Sequence, residues 1–290
     1  MFKAAFSTVA CPEWILADVV RAAAEWGYNG LDLRTFGYGS SEFACDPALT
    51  AGEKVRAICA EHGVEAAVLG TGVSFDEPVR PPVIGWALMD TERSVRAAKS
   101  CIELAAQIEC PLVRVFGFEV QGREKRSAAV RRIVDRLRMA LDGARHSGVR
   151  LVLENGGSFA TAGAVLELVE AVGSPLLGVS YSAAVAHAAG EHPVAGASLL
   201  GNRLWVAKVK DYRDGAPCMI GDGEVDVGAM ITELRDRAYT GWVVVEWDRA
   251  WLPTLADPRE VLPEAVRRLY SWAARPRISG GIVGETVSMR

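Results

Sequence analysis

The sequence predicts an α/β chain folded as one (β/α)8 barrel, and three observations carry that prediction. First, short β-rich runs alternate with longer helix-period stretches from end to end, giving eight strand–helix units in 290 residues. Parallel strands joined by helices form either an open doubly wound sheet or a closed barrel, and eight repeats at this length favour the barrel. Second, no Gly-x-Gly-x-x-Gly follows the first strand, which weakens a dinucleotide-binding open sheet. Third, three apolar runs end in a charged residue: Val149 through Glu154, Leu204 through Lys208 and Trp242 through Glu246. A charge closing a buried strand needs partners, because an unpaired charge in a low-dielectric interior costs several kcal/mol. Barrels gather reactive groups at their C-terminal strand ends, so the three charges are expected to meet there.

The elements follow in order. Residues 2–7 read as a strand and 14–26 as a helix closed by Gly27; residues 31–34 are a second strand and 51–62 a helix closed by Gly63. Residues 65–69 form a third strand. A loop with Pro78, Pro81 and Pro82 leads to a helix over 91–108. Residues 112–116 are strand four, and an Arg-rich helix behind it ends at Gly148. Strand five ends at Glu154, and 161–172 is the next helix. Strand six covers 176–181. Strand seven ends near Lys208, with a helix over 227–237 after it, and strand eight ends at Glu246, with the last helix over 259–274. Residues 1–275 are expected to be one domain, and 276–290, with Gly280, Gly281 and Gly284, a flexible tail.

Half of the residues are hydrophobic and 23% are charged, an ordinary globular composition. A net charge of −4 without basic clusters argues against a nucleic-acid partner; the arginines of 128–145 alternate with apolar positions and read as a solvated helix face. No run of 18 apolar residues offers a membrane span, and the N-terminus lacks a signal-peptide pattern. Six scattered cysteines without CxxC spacing speak against structural zinc and for a reduced, cytoplasmic setting. His62 and His146 sit at helix ends, where a cation suits the dipole.

Several motifs, in their order and spacing, resemble the xylose isomerase-like barrel superfamily of sugar isomerases and epimerases. They are Gly27 through Arg34, Leu153-Glu154-Asn155, Ala189-Gly190-Glu191-His192-Pro193, Lys210-Asp211, Gly221 through Asp226, and Tyr239-Thr240-Gly241-Trp242 through Glu246. The resemblance implies a divalent metal (Mn, Mg or Zn) at the barrel mouth, held by a Glu, an Asp, a His and a Glu at the ends of strands five to eight. Glu154 and Glu246 fall on the two Glu positions, but Ser182 falls on the Asp and Lys208 on the His. Supporting histidines of the pattern fall on Gly156 and Val185. Two carboxylates, a hydroxyl and an ammonium do not suit a hard divalent ion. The expectation is therefore no metal and no cofactor, with Lys208 in the place of the ion. If a metal were bound, Glu154 and Glu246 would be its ligands.

The resemblance also implies proton transfer beside a carbonyl. Glu154 and Glu246 are then the acid/base pair, and Lys208 the electrophile for a developing enolate. The alternatives are a Schiff base on Lys208, which flanking carboxylates oppose by raising its pKa, and a plain buried ion-pair triad. Arg114 is a candidate for gripping a substrate anion if it points inward, or a helix acid's partner if outward. Asp32, Ser182, Phe116, Tyr181, His187 and Trp247 complete the substrate-binding candidates. Trp251, Phe36, Tyr38, Phe75, Phe118 and Trp86 add aromatic surroundings, whereas Lys210, Asp211 and Arg213 read as loop-fixing. The expected partner is a small molecule, sugar-like or cyclic, with a homodimer as the candidate assembly. Isomerase or epimerase is the leading reading. A lyase, dehydratase or cyclase using the same residues comes next, then a ligand-binding barrel without catalysis.

Overall fold

The computed structural model describes residues 1–35, 52–78, 92–122 and 124–274. Phe36, Tyr38, Trp86, the prolines 81 and 82, and the tail from 276 onward lie outside the described residues.

Eight parallel strands close a barrel. They are β1 (Lys3–Ser7), β2 (Gly30–Arg34), β3 (Glu65–Ser74), β4 (Leu112–Phe116), β5 (Arg150–Glu154), β6 (Leu177–Ser182), β7 (Leu204–Val209) and β10 (Trp242–Val245). Pairing runs from each strand to the next, with β7 beside β10 and β10 closing onto β1. The helices α1 (Leu16–Trp26), α2 (Gly52–His62), α3 (Arg93–Gln107), α4 (Arg126–Ala144), α5 (Ala162–Val172), α8 (Val227–Asp236) and α9 (Pro258–Ala274) form the outer layer. Gly27 ends α1 in the left-handed region (φ 87°), where a side chain would be strained.

The structure adds elements that the periodicity does not announce. β3 continues five residues past its expected end at Leu69, with a register shift against β4 between Gly70 and Ser74. After β6 come two short helices, α6 (Ala183–Ala188) and α7 (Pro193–Leu200). After β7 comes an antiparallel hairpin of β8 (Asp211–Arg213) and β9 (Ala216–Cys218). Its turn residues, Asp214 (φ 52°) and Gly215 (φ 75°), are both left-handed, as a two-residue hairpin turn of right-handed twist requires. Asp211 fixes this loop by accepting from the backbone N–H groups of Tyr212, Gly221, Gly223 and Val225, at 2.8–3.0 Å.

Alternation along each strand divides the core in two. One set of residues faces the helices and joins the large cluster between barrel and helix layer. The other fills the barrel lumen, where Ala5, Ala67, Val68, Leu112, Val152, Val206, Trp242 and Val244 form a separate apolar cluster. Two residues further along the same strands, that lumen turns charged.

Candidate active site

Glu154 closes β5 and Lys208 is the penultimate residue of β7; Glu246 follows β10 directly, its N–H donating to the carbonyl of Val209. The strands carry the three side chains to one point. The Lys208 ammonium is 2.5 Å from Glu246 Oε1, 3.1 Å from Glu154 Oε2 and 3.7 Å from Asp32 Oδ2. Arg114 points inward, its Nη1 reaching both Glu154 oxygens at 3.3 and 3.4 Å while Nη2 donates to Thr71 O at 2.7 Å. Ser180 Oγ donates to Glu154 Oε2 at 3.0 Å. Above this layer lies a cavity of about 320 Å³ lined by Arg34, Arg114, Phe116, Glu154, Ser182, Val185, Lys210, Glu246, Asp248, Trp251 and Leu252. That volume suits a small molecule.

Burial and charge set the protonation states. Burial alone would push the Glu246 carboxyl up, but Lys208 and then Lys210 overcome it and hold it at about 2. Burial opposes the charged forms of Lys208 and Arg114, yet the surrounding carboxylates, led by Glu154, raise both above their ordinary values. Asp32 goes the other way. Burial raises its pKa, and Lys208 and Arg114 counter only part of that effect. Its Oδ1 has no hydrogen-bond partner among the described residues. Burial also pushes the thiols of Cys59 and Cys101 up to about 11, so neither is an activated nucleophile.

Four candidates are placed otherwise than the sequence suggests. Lys208 lies beneath the two glutamates, 2% exposed, and does not line the cavity; Lys210, one inward position further along, does. Tyr181 is fully buried on the helix side of β6, its hydroxyl donating to Glu191 Oε2 at 2.8 Å. It neighbours the inward Ser180, and alternation turns it away. Trp247 packs outward next to Glu246 for the same reason, donating from Nε1 to Ala256 O at 3.0 Å. His187 opens instead onto an adjoining pocket of about 480 Å³ that shares Val185 and Lys210 with the central cavity. Phe116 and Ser182 line the cavity as expected, and Asp32, 1% exposed, sits below it.

Sequence reading did not single out Arg34, Asp248 and Ser180; it named Val185 only as the place of a missing supporting histidine, and Lys210 as a loop residue. Most are two positions from a residue it did name: Arg34 follows Asp32, Lys210 follows Lys208, and Asp248 follows Glu246. Lys210 pairs with Asp248 at 3.1 Å and approaches Glu246 at 3.8 Å, and Tyr212 donates to Asp248 at 3.2 Å.

The pattern of the xylose isomerase-like TIM barrel family matches residues 20–272. The chain belongs to that family. A comparison with proteins of curated function gives no match. Solved structures similar to it include L-ribulose 3-epimerase, 15% identical with a TM-score of 0.76, covering 94% of this chain and 95% of that one. The IolI protein with a bound zinc atom is 16% identical, with a TM-score of 0.75 and coverage of 94% and 98%. The probable 3-DHS dehydratase AsbF of petrobactin synthesis from Bacillus anthracis is 16% identical, with a TM-score of 0.73 and coverage of 93% and 99%. At these identities the likeness is one of fold. A divalent ion at this barrel mouth would find the carboxylates of Glu154 and Glu246, with the Lys208 ammonium between them. Among the described residues no group of three or more His, Cys, Asp or Glu side chains is arranged to hold a metal, and no helix is long and apolar enough to cross a membrane.

Proposed function

We propose that this protein is an isomerase or epimerase that moves a proton beside a carbonyl of a small sugar-like or cyclic molecule without a divalent metal. The observation that carries the reading is a pair of glutamates at the cavity floor pinned from below by one buried ammonium. L-ribulose 3-epimerase and D-psicose 3-epimerase among the similar folds support the epimerase part of it.

Glu154 and Glu246 reach the cavity from different strands, so one can take a proton from a carbon acid while the other returns it at the opposite face or the adjacent carbon. Proton abstraction leaves negative charge on the carbonyl oxygen, and cations already fixed around the cavity stabilise it without reorganising. Arg114 and Lys210 are the cations placed to touch that oxygen. Lys208, buried beneath the cavity floor, acts as a positioning residue that keeps the two carboxylates together. A metal fits this set poorly, because an ion between the glutamates would have to displace or discharge Lys208.

Loss of a β-hydroxyl after the same proton abstraction would make the enzyme a dehydratase, a second reading favoured by the likeness to AsbF.

The test is proton NMR in D₂O with a panel of ketoses and cyclic ketones, after chelation and elemental analysis. Exchange of the carbon-bound proton without stoichiometric metal, abolished by Glu246→Gln or Glu154→Gln, is expected. Stoichiometric Mn, Zn or Mg lost on Glu246→Gln would overturn the metal-free reading. Binding without exchange for every ligand would make the chain a ligand-binding barrel.

A further inference from the structure

Three cationic residues line the cavity, and two of them are paired: Arg114 with Glu154, and Lys210 with Asp248 and Glu246. Arg34 has no carboxylate partner among the described residues. Its Nη1 donates to two backbone carbonyls, Thr71 O at 3.0 Å and Gly70 O at 3.4 Å. Its Nε is shut off from water and has no acceptor among the described residues. The Trp251 ring lies over the guanidinium, 5.9 Å from Cζ.

Thr71 O also accepts from Arg114 Nη2 at 2.7 Å. Two guanidinium groups therefore converge on one neutral oxygen, and the carboxylate beside them belongs to Arg114. Like charges this close repel, and most strongly where water is excluded. The cost falls when an anion bridges them. Arg34 Nη2 makes no hydrogen bond to the described residues, and it is left to donate to an oxygen of a carboxylate or phosphate.

We infer that Arg34, backed by Arg114, anchors an oxyanion of the substrate, so that the molecule taken by this cavity is a carboxylated or phosphorylated carbonyl compound and not a neutral sugar. This rests on reading the cavity as the substrate site. The anion binds on the β2–β3 side of the mouth and the reacting carbon lies toward Glu154 and Glu246. Trp251 closes over the anchored group.

Three probes of equal carbon count separate the possibilities: hydroxypyruvate, dihydroxyacetone phosphate and neutral dihydroxyacetone, each titrated against tryptophan fluorescence. At least one anion is expected to bind roughly ten-fold or more tightly than dihydroxyacetone, the margin of a charge-assisted hydrogen bond. Which of the two wins names carboxylate or phosphate as the source. Arg34→Gln should remove the preference and leave dihydroxyacetone unchanged, and Arg34→Lys should retain part of it. Lys also guards against an unfolded Gln variant, since it keeps the charge against the two carbonyls. Equal binding of anion and neutral probe, no saturable binding of either anion, or a preference that survives in Arg34→Gln overturns the inference. Proton exchange is read separately. Anion preference without exchange keeps this assignment and ends the catalytic one.

Discussion

Two adjacent layers of the barrel lumen share strands but not chemistry. The middle layer, with Val152, Val206 and Val244, is wholly apolar and closes the bore. One inward step along, the same strands present Glu154, Lys208 and Glu246, with Arg114 and Asp32 completing a buried charged layer. The apolar layer stabilises because its side chains leave water. The charged layer forms despite desolvation, and only because each charge finds an opposite one within hydrogen-bonding or ion-pair distance. Stability and chemistry are thus stacked along the barrel axis. A substitution that is modest in one layer should be severe in the other.

The largest break is expected from Lys208→Met. It keeps the stem and removes the ammonium, leaving two glutamates facing one another. A loss of about 3–5 kcal/mol in urea unfolding should follow, as for other buried pairs stripped of one partner. A near-silent Lys208→Met would mean the glutamates share a proton and need no cation.

Acid should act next, and on the charged layer alone. Glu246 is held at about 2 against an ordinary 4.5, the direction of a carboxyl stabilised as its anion in the folded state. Its contribution is complete above pH 4.5 and disappears as pH falls toward 2, on the order of 3 kcal/mol. The urea midpoint should fall across that window, and Glu246→Gln should flatten the fall.

Val206→Ala in the apolar layer removes two buried carbons and should cost about 2 kcal/mol through lost burial and a small cavity. Proton exchange per folded molecule should be untouched. If activity fell in step with stability, the two layers would not be separable.

The smallest effect is expected at Asp32. Folding raises its pKa, so at neutral pH the protein gains nothing from its ionisation. Asp32→Asn should shift stability at pH 7 by less than about 1 kcal/mol, or raise it. A loss of several kcal/mol would identify Asp32 as an ionised third partner of Lys208.

Much of this architecture was legible in the chain. The alternation of strand and helix periods announced the barrel, and the three charged run ends, Glu154, Lys208 and Glu246, named the place where its strands converge. Errors came from orientation. Tyr181 and Trp247 stand beside inward residues and so point out, whereas Arg34, Lys210 and Asp248 stand two positions beyond named residues and so point in. A consistent two-residue step from Asp32, Lys208 and Glu246 would have found all three. The hairpin after β7 also had its signal, in Asp214-Gly215. The short helix α6 had none, although its Val185, which lines both pockets, falls on a supporting-histidine position of the family pattern.

The sequence by itself determined which residue types lie at the strand ends, because hydrophobic period and charge are local properties of the chain. Only the tertiary structure decided that Lys208 lies under the glutamates while Lys210 faces the cavity, and that Arg34 and Arg114 share one carbonyl. Those relations depend on the stagger between neighbouring strands and on how far each backbone runs past the lumen's charged layer. Barrel closure fixes both, and no short stretch of sequence records either.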